Sequence, residues 1–150
     1  MRIFNGISEV EEAAGTHLGH SDWHEITQEQ INAFADATGD RQWIHVDAER
    51  AANGPFGATV AHGFLTLSLL PMLAAEVYTI EGVAMGVNYG CNKVRFPAPV
   101  PVGSKVRAGV ELVSVEQTAA GHLVTARMTV EIEGAAKPGC VAESLAVVVP

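Results

Sequence analysis

The sequence contains very little cysteine. Cys91 and Cys140 are the only cysteines in 150 residues, and neither belongs to a CxxC pair. This spacing excludes a disulfide-stapled framework and a thiolate metal centre, and it predicts two reduced thiols in the core. Positive charge is scarce as well, because nine Lys and Arg stand against seventeen Asp and Glu, for a net charge of −8. Such a balance argues against nucleic acids and anionic membranes as partners.

A long hydrophobic run is also missing. The most apolar stretch, residues 64–75, is too short and too interrupted to cross a bilayer. The N-terminal MRIFNGISEVEE lacks the basic and then apolar pattern of a signal peptide, so we expect a cytoplasmic protein. No repeat or long linker divides the chain, and 150 residues are enough for one core. We therefore predict a single domain over residues 1–150.

Helix-capping residues bracket a polar loop in the first half of the chain. Thr27 is followed three residues later by a glutamine, as in a capping box, and Gly39 is a typical C-cap, which together predict a helix. Asp47 is a typical N-cap of a second, short helix. The loop between these helices carries Asp40 at its start and His45 near its end.

Residues 62–78 form the longest apolar helix candidate, with large apolar side chains on nearly every side. A helix that is apolar all round is expected to be enclosed by other structure. Pro71 lies inside the segment and would remove a hydrogen bond, at a cost of roughly 3 kcal/mol if nothing compensates. A kink near Pro71 is therefore predicted.

The second half of the chain has the alternating pattern of strands. Apolar and polar residues alternate over 104–112 and over 122–132, which predicts strands with one buried face. Over 83–96 the apolar phase changes near Gly90, which indicates a β-bulge. Residues 139–149 are apolar on both sides, so we expect this strand to lie inside the sheet.

The links between these strands are short. PAPVPVG, TAAG and GAAKPG each join one strand to the next along the chain, which favours an antiparallel meander over alternating βαβ units. The predicted fold class is therefore α+β, with an antiparallel sheet wrapped around a long apolar central helix.

Three segments resemble one known family. Residues 39–45 read GDRQWIH, residues 61–67 read AHGFLTL, and residues 88–103 read NYGCNKVRFPAPVPVG. Together they resemble the MaoC-like (R)-specific enoyl-CoA hydratases, in particular actinobacterial members, and the likeness extends over essentially the whole chain. The family motif is Gly, Asp, any residue, Asn, Pro, a branched apolar residue and His, and here Gln42 and Trp43 replace the Asn-Pro pair. The resemblance implies a hotdog fold.

The activity implied by this resemblance is addition of water across the C2=C3 bond of an enoyl thioester. It requires a base for the water, a proton for C2 and a donor for the enolate-like oxygen at C1. Asp40 and His45 can converge on one water and fill the first two roles. We expect the apolar neighbours Trp43 and Ile44 to raise the pKa of Asp40 and make it a stronger base. The alternative is that Asp40 only caps a helix and His45 is a structural histidine.

A backbone group can supply the donor. Gly63 opens the apolar helix, where free N–H groups and the helix dipole favour negative charge, so its amide is the predicted catalytic oxyanion donor. A glycine required only for packing at a tight turn is the alternative. His62 is expected to contact substrate or to be structural rather than catalytic.

The remaining predictions concern substrate, metals and assembly. Trp43 and Ile44 are expected to shape the acyl pocket, and the resemblance implies that Lys93 and Arg95 meet the phosphates of an acyl-CoA substrate, although solvated strand charges are the alternative. No cofactor is predicted, and no metal either, because the histidine pair in HSDWHEI lacks a clear third ligand. A homodimer is expected, since a small sheet leaves edge strands that need cover.

Two other functions stay open. A hotdog thioesterase would direct water at C1 and commonly carries a carboxylate on the central helix, but here only Glu76 lies near the end of that helix. A non-catalytic acyl-binding subunit would need neither Asp40 nor His45. The favoured prediction is (R)-specific hydration of trans-2-enoyl-CoA, or the reverse dehydration of (R)-3-hydroxyacyl-CoA.

Overall fold

The computed structural model describes all 150 residues, which form helices in the first half of the chain and long strands in the second. The helices are α1 (Ile7–Glu12), α2 (Gln28–Thr38), α3 (Trp43–Val46), α4 (Ala48–Ala52), α5 (Gly63–Ser68) and α6 (Leu70–Val77). The strands are β1 (Arg2–Asn5), β2 (His17–His20), β3 (His24–Glu25), β4 (Tyr78–Glu81), β5 (Met85–Arg95), β6 (Lys105–Thr118), β7 (Gly121–Ile132) and β8 (Cys140–Val149).

One six-stranded antiparallel sheet forms the body of the fold. Its order is β2-β6-β7-β8-β5, and β3 also pairs with β6. β8 lies between β7 and β5, so the prediction of an interior strand at 139–149 is confirmed. The alternating residues of β6 and β7 face the core, as predicted. These buried residues are Val106, Ala108, Val110, Leu112, Val124, Ala126, Met128, Val130 and Ile132.

The segment 97–103 does not join neighbouring strands, contrary to expectation. β5 pairs with β8 rather than with β6, so this link runs between two strands that are not adjacent. On its way it hydrogen-bonds to the loop before α5, where Ala61 N–H donates to the Val100 carbonyl at 2.8 Å and Val102 N–H donates to the Thr59 carbonyl at 2.9 Å. The link therefore fixes the backbone that leads into α5.

The predicted β-bulge is present in β5. The pairing of β5 with β8 shifts register between Asn88 and Gly90 and again between Cys91 and Lys93. Gly90 has a φ of 148°, a conformation that other residues rarely adopt. Cys140 is buried as expected, but Cys91 is exposed, so the prediction of two core thiols is wrong for Cys91 because β5 is an edge strand.

The central helix is divided in two rather than continuous. α5 ends at Ser68 and α6 begins at Leu70, with Pro71 as its second residue. A proline in the first helical turn removes an N–H that would have no helical acceptor, so the penalty expected for Pro71 does not arise. The helix is also not enclosed all round, since Phe64 is 68% exposed and Met72 is 45% exposed. No helix of the protein is long and apolar enough to span a membrane.

The caps around the polar loop are those predicted from the sequence. The Thr27 hydroxyl accepts the Gln30 N–H at 3.1 Å, and Gly39 ends α2 with a φ of 83°. The Asp47 carboxylate accepts an N–H from the first turn of α4. Between these caps the chain is not a plain loop, because α3 forms one helical turn that contains His45. The imidazole in this turn is buried.

Candidate active site

Asp40, His45 and His62 converge at the start of α5. One ligand atom from each of the three side chains lies within 4.8 Å of the other two. A water that forms hydrogen bonds of ordinary length to two groups holds them about 4.5 to 5 Å apart. The 4.8 Å upper limit is compatible with a single water that bridges the Asp40 carboxylate and the His45 ring.

Asp40 is not surrounded by apolar side chains, contrary to expectation. It is exposed, and its carboxylate accepts the Gln42 N–H at 3.3 Å. Trp43 packs instead against Gly54 and beneath the Arg50 guanidinium, which lies 4.2 Å from the ring centroid. The apolar enclosure predicted for Asp40 is therefore absent in the single chain, because the indole belongs to the packing of α4.

His45 is buried and held through its ring and its backbone. Its Nδ1 lies 2.6 Å from the Val60 carbonyl oxygen. A carbonyl oxygen only accepts, so Nδ1 carries the hydrogen and Nε2 of the neutral ring is left as an acceptor. The Gln28 side chain donates to the His45 carbonyl at 2.8 Å and accepts a hydrogen bond from the Thr59 hydroxyl. Sequence reasoning missed Gln28 and Thr59, because no local pattern connects positions so far apart.

An apolar cleft of about 350 Å³ lies beside these residues. Its walls include Ile44, His45, Phe56, Gly63, Phe96 and Val100. Gly63 is the first residue of α5, so no carbonyl of the helix accepts its N–H. A Cβ at Gly63 would lie 2.9 Å from the Phe96 ring, too close for any other residue without a shift. The glycine thus has a packing reason as well as an available amide.

The whole chain is similar to proteins of one known family. The family model described as "MaoC like domain" matches residues 9–133. The 3-hydroxyacyl-thioester dehydratase Z of Mycobacterium tuberculosis is 61% identical over 146 residues, which cover 97% of each chain. The chain belongs to the MaoC-like dehydratase family.

Two further comparisons extend this result. Nodulation protein N of Rhizobium leguminosarum is 44% identical over 95% of this chain and 90% of its own length. The solved structure of the (R)-hydratase PhaJ1 of Pseudomonas aeruginosa is 25% identical, with a TM-score of 0.72 over 91% of this chain and 81% of that one. The predicted family, hotdog fold and hydro-lyase class of this MaoC-like dehydratase are confirmed.

The structure separates the predicted substrate-binding residues of this MaoC-like dehydratase. Ile44 lines the apolar cleft. Trp43 instead lines a polar surface depression of about 460 Å³ on α4. His62 is buried outside the cleft lining, and Lys93 and Arg95 lie exposed on β5. Of these five residues, only Ile44 contacts the cleft directly in the single chain.

The cluster of Asp40, His45 and His62 is poorly arranged to hold one metal ion. The two imidazole rings are stacked, with centroids 3.8 Å apart and only 23° between their planes. A histidine nitrogen binds a metal along the plane of its ring, at about 2.0 to 2.1 Å for zinc. The planes of two nearly parallel rings do not intersect within this bonding distance of both rings, so one metal ion cannot lie in both planes. The cluster suits proton transfer better than metal binding.

Proposed function

We infer that this MaoC-like dehydratase catalyses reversible, (R)-specific hydration of trans-2-enoyl thioesters. One observation carries the inference: the Asp40 carboxylate and a His45 ring nitrogen lie within 4.8 Å of each other, beside an apolar cleft that reaches Gly63. The dehydratase and (R)-hydratase named among its relatives perform this chemistry in one direction or the other.

Each group has a defined role in the proposed reaction. Asp40 takes one proton from the water. Nε2 of His45 accepts a hydrogen bond from the water's other O–H group, which stays on the oxygen, and so orients the water. The water oxygen bonds to C3 as the π electrons move toward the thioester oxygen, where the Gly63 N–H stabilises the negative charge. C2 then receives a proton from the Asp40 and His45 pair as the thioester carbonyl re-forms. Water has been added, and the enzyme returns to its initial protonation state.

A shared water site constrains the stereochemistry. The hydroxyl at C3 and the hydrogen at C2 come from the same side of the enoyl plane, so addition is syn. The shared water does not fix which face is attacked, and the (R) configuration of the 3-hydroxyacyl product is proposed from the likeness to an (R)-hydratase. Hydration of crotonyl-CoA in deuterated water, followed by chiral chromatography and NMR coupling analysis, tests both features. An (S) product would contradict the assigned handedness, and anti addition would contradict the shared water.

The thioesterase alternative is disfavoured by the position of Glu76. Its carboxylate accepts the Asp22 N–H at 3.0 Å and contacts Nε2 of His24 at 2.7 Å, which ties the end of α6 to β3. Glu76 is also absent from the cleft lining. The third alternative, a non-catalytic acyl-binding subunit, leaves the juxtaposed Asp40 and His45 without a role.

One assay separates the three functions. Purified protein is incubated with crotonyl-CoA while enoyl absorbance and free thiol are followed together. Loss of absorbance without thiol release is the expected result and indicates hydration. Release of thiol would indicate thioester hydrolysis. Crotonyl-CoA and longer enoyl-CoA substrates that all remain unchanged would support binding alone.

We propose acyl-CoA as the substrate form, with Lys93 and Arg95 contacting the CoA phosphates. Both are exposed cations on β5. Lys93→Gln and Arg95→Gln should raise KM for crotonyl-CoA and leave kcat unchanged. Crotonyl-pantetheine lacks these phosphates and should show no such rise, while Lys137→Gln serves as the exposed-lysine control. Equal effects on both substrates would contradict the phosphate contact.

We also propose that the protein is a homodimer joined near β5. This strand forms one edge of the sheet and exposes Met85, Val87 and Tyr89. An uncovered apolar edge strand is an association surface. Light scattering at micromolar concentration should give twice the chain mass, and Val87→Lys should lower it. A fully active wild-type monomer would contradict the proposal.

A further inference from the structure

His62 is a buried polar residue whose ring is only half satisfied. The residue is 3% exposed, and its Nε2 lies 2.9 Å from the Asp40 carbonyl oxygen. Its Nδ1 is buried without a hydrogen-bond partner. An unpartnered buried polar atom is destabilising, and an apolar ring of similar shape would avoid that cost. Packing alone therefore does not account for a histidine at this position.

The contacts of His62 reach both members of the proposed catalytic pair. Since a carbonyl oxygen only accepts, Nε2 donates its hydrogen to the Asp40 backbone and restrains the residue that carries the carboxylate. The same ring stacks on His45, with centroids 3.8 Å apart. The Phe34 ring also packs against it, at a centroid distance of 4.9 Å. His62 thus connects Asp40, which lies outside any helix or strand, with His45, which lies in the single turn of α3.

His62 is itself well anchored. Its carbonyl accepts the Thr66 N–H at 3.1 Å and the Thr66 hydroxyl at 3.4 Å, at the start of α5. The N–H of the preceding residue, Ala61, donates to Val100 in the link 97–103. These bonds fix the backbone on both sides of the His62 side chain, and a side chain on a fixed backbone can hold its neighbours in place.

We propose that His62 is a positioning residue that aligns Asp40 with His45, so that both address one water. The proposal rests on the hydratase function inferred above. His62 does not line the cleft, so it acts through its two neighbours and not on the substrate.

Two substitutions separate the hydrogen bond from the ring contact. His62→Phe keeps an aromatic ring beside His45 but removes the donor to Asp40, and should lower kcat about 10- to 100-fold with KM changed less than about twofold, since small displacements of reacting groups have effects of this size. His62→Gln restores an N–H donor and should recover part of the loss. Val130→Ala, a buried change in β7, is the stability control and should lower the melting temperature without lowering kcat.

A double substitution tests whether His62 acts through Asp40. If it does, His62→Phe should cause little further loss in an Asp40→Asn background, because residues that act as a unit are not additive. Equal losses in both backgrounds would overturn the proposal. So would a folded His62→Phe variant with wild-type kcat.

A measurement without substrate keeps this result separate from the proposed function. In uniformly 15N-labelled protein, NMR should place the hydrogen on Nε2 of His62 and on Nδ1 of His45. His62→Phe should change the His45 ring signals and the Asp40 amide signal. Unchanged signals would overturn the positioning role whether or not the wild type hydrates crotonyl-CoA. Wild-type inactivity together with altered signals would instead contradict only the hydratase function.

Discussion

Two pairs of histidines in this protein have different surroundings. His45 and His62 stack beside the cleft, while His17 and His20 have ring centroids 5.0 Å apart on the edge strand β2. The first pair is buried, and each of its rings bonds to a backbone carbonyl. The second pair is exposed, and Nε2 of His20 lies 3.3 Å from the Glu131 carboxylate. Backbone partners are fixed by the fold, but exposed side chains can move. Enclosure and backbone anchoring, more than clustering, therefore distinguish the candidate site.

The largest expected effect separates the two pairs by activity. Asp40→Asn and His45→Gln should each lower hydration of crotonyl-CoA by about a hundredfold or more, the general range for loss of an acid or base. His20→Gln should leave turnover within about twofold. Asp36→Asn changes an exposed carboxylate in α2, the helix that leads into the loop, and serves as the matched control. Near-wild-type turnover in folded Asp40→Asn or His45→Gln would show that the assigned roles are wrong.

A smaller loss is expected at the helix start next to the buried pair. A methyl group at Gly63 would press on the Phe96 ring, so Gly63→Ala should displace the amide or the ring and lower kcat/KM about tenfold or more. Gly86 is the control, since a Cβ there meets nothing within 4 Å, and Gly86→Ala should be tolerated. Steady-state kinetics of both variants checks this. Full activity of Gly63→Ala would mean that close approach at this position is not required.

The support behind His45 should have a modest effect. Thr59→Val removes the hydroxyl that bonds to Gln28, which in turn holds the His45 carbonyl. We expect kcat to fall about three- to tenfold, because the partly buried Gln28 oxygen loses its hydroxyl partner and the contact that holds the His45 turn is weakened. Thr125→Val is a buried threonine control on β7 and should leave kcat unchanged. Equal kcat values for the two variants would mean that the hydrogen bonds from Gln28 to Thr59 and to His45 do not position His45.

The exposed pair should influence only stability, and weakly. Burial raises the pKa of Glu131, but the hydrogen bond and charge of Arg107, together with His20, lower it more, so its pKa lies below the ordinary 4.5. A carboxylate with a lowered pKa stabilises the fold above its unfolded-state value, and that stability is lost as pH falls through the folded-state pKa. In Glu131→Gln, the free energy of unfolding should therefore fall less steeply below pH 4.5 than it does in the wild type. Urea unfolding between pH 3 and pH 7 measures this, and an unchanged slope would contradict it.

Much of the local structure followed from neighbouring residues. The cap at Thr27, the left-handed Gly39 and the alternation along β6 and β7 depend on contacts within a few positions, so their patterns are visible in the sequence. The loop that carries Asp40 and His45 was found for the same reason, aided by the resemblance of residues 39–45 to a family motif. Local patterns could not tell where Trp43 would pack, because that depends on Arg50 in α4 and on Gly54 just after that helix.

The sequence by itself determined which residues could exchange protons and where the backbone had to turn, because side-chain chemistry and short-range capping require no knowledge of the fold. Only the tertiary structure decided that β5 pairs with β8, that Gln28 reaches Thr59, and that His62 stacks on His45 while bonding to Asp40. Each of these contacts joins residues distant in the chain. Whether such residues meet depends on how the whole sheet and the divided helix pack together.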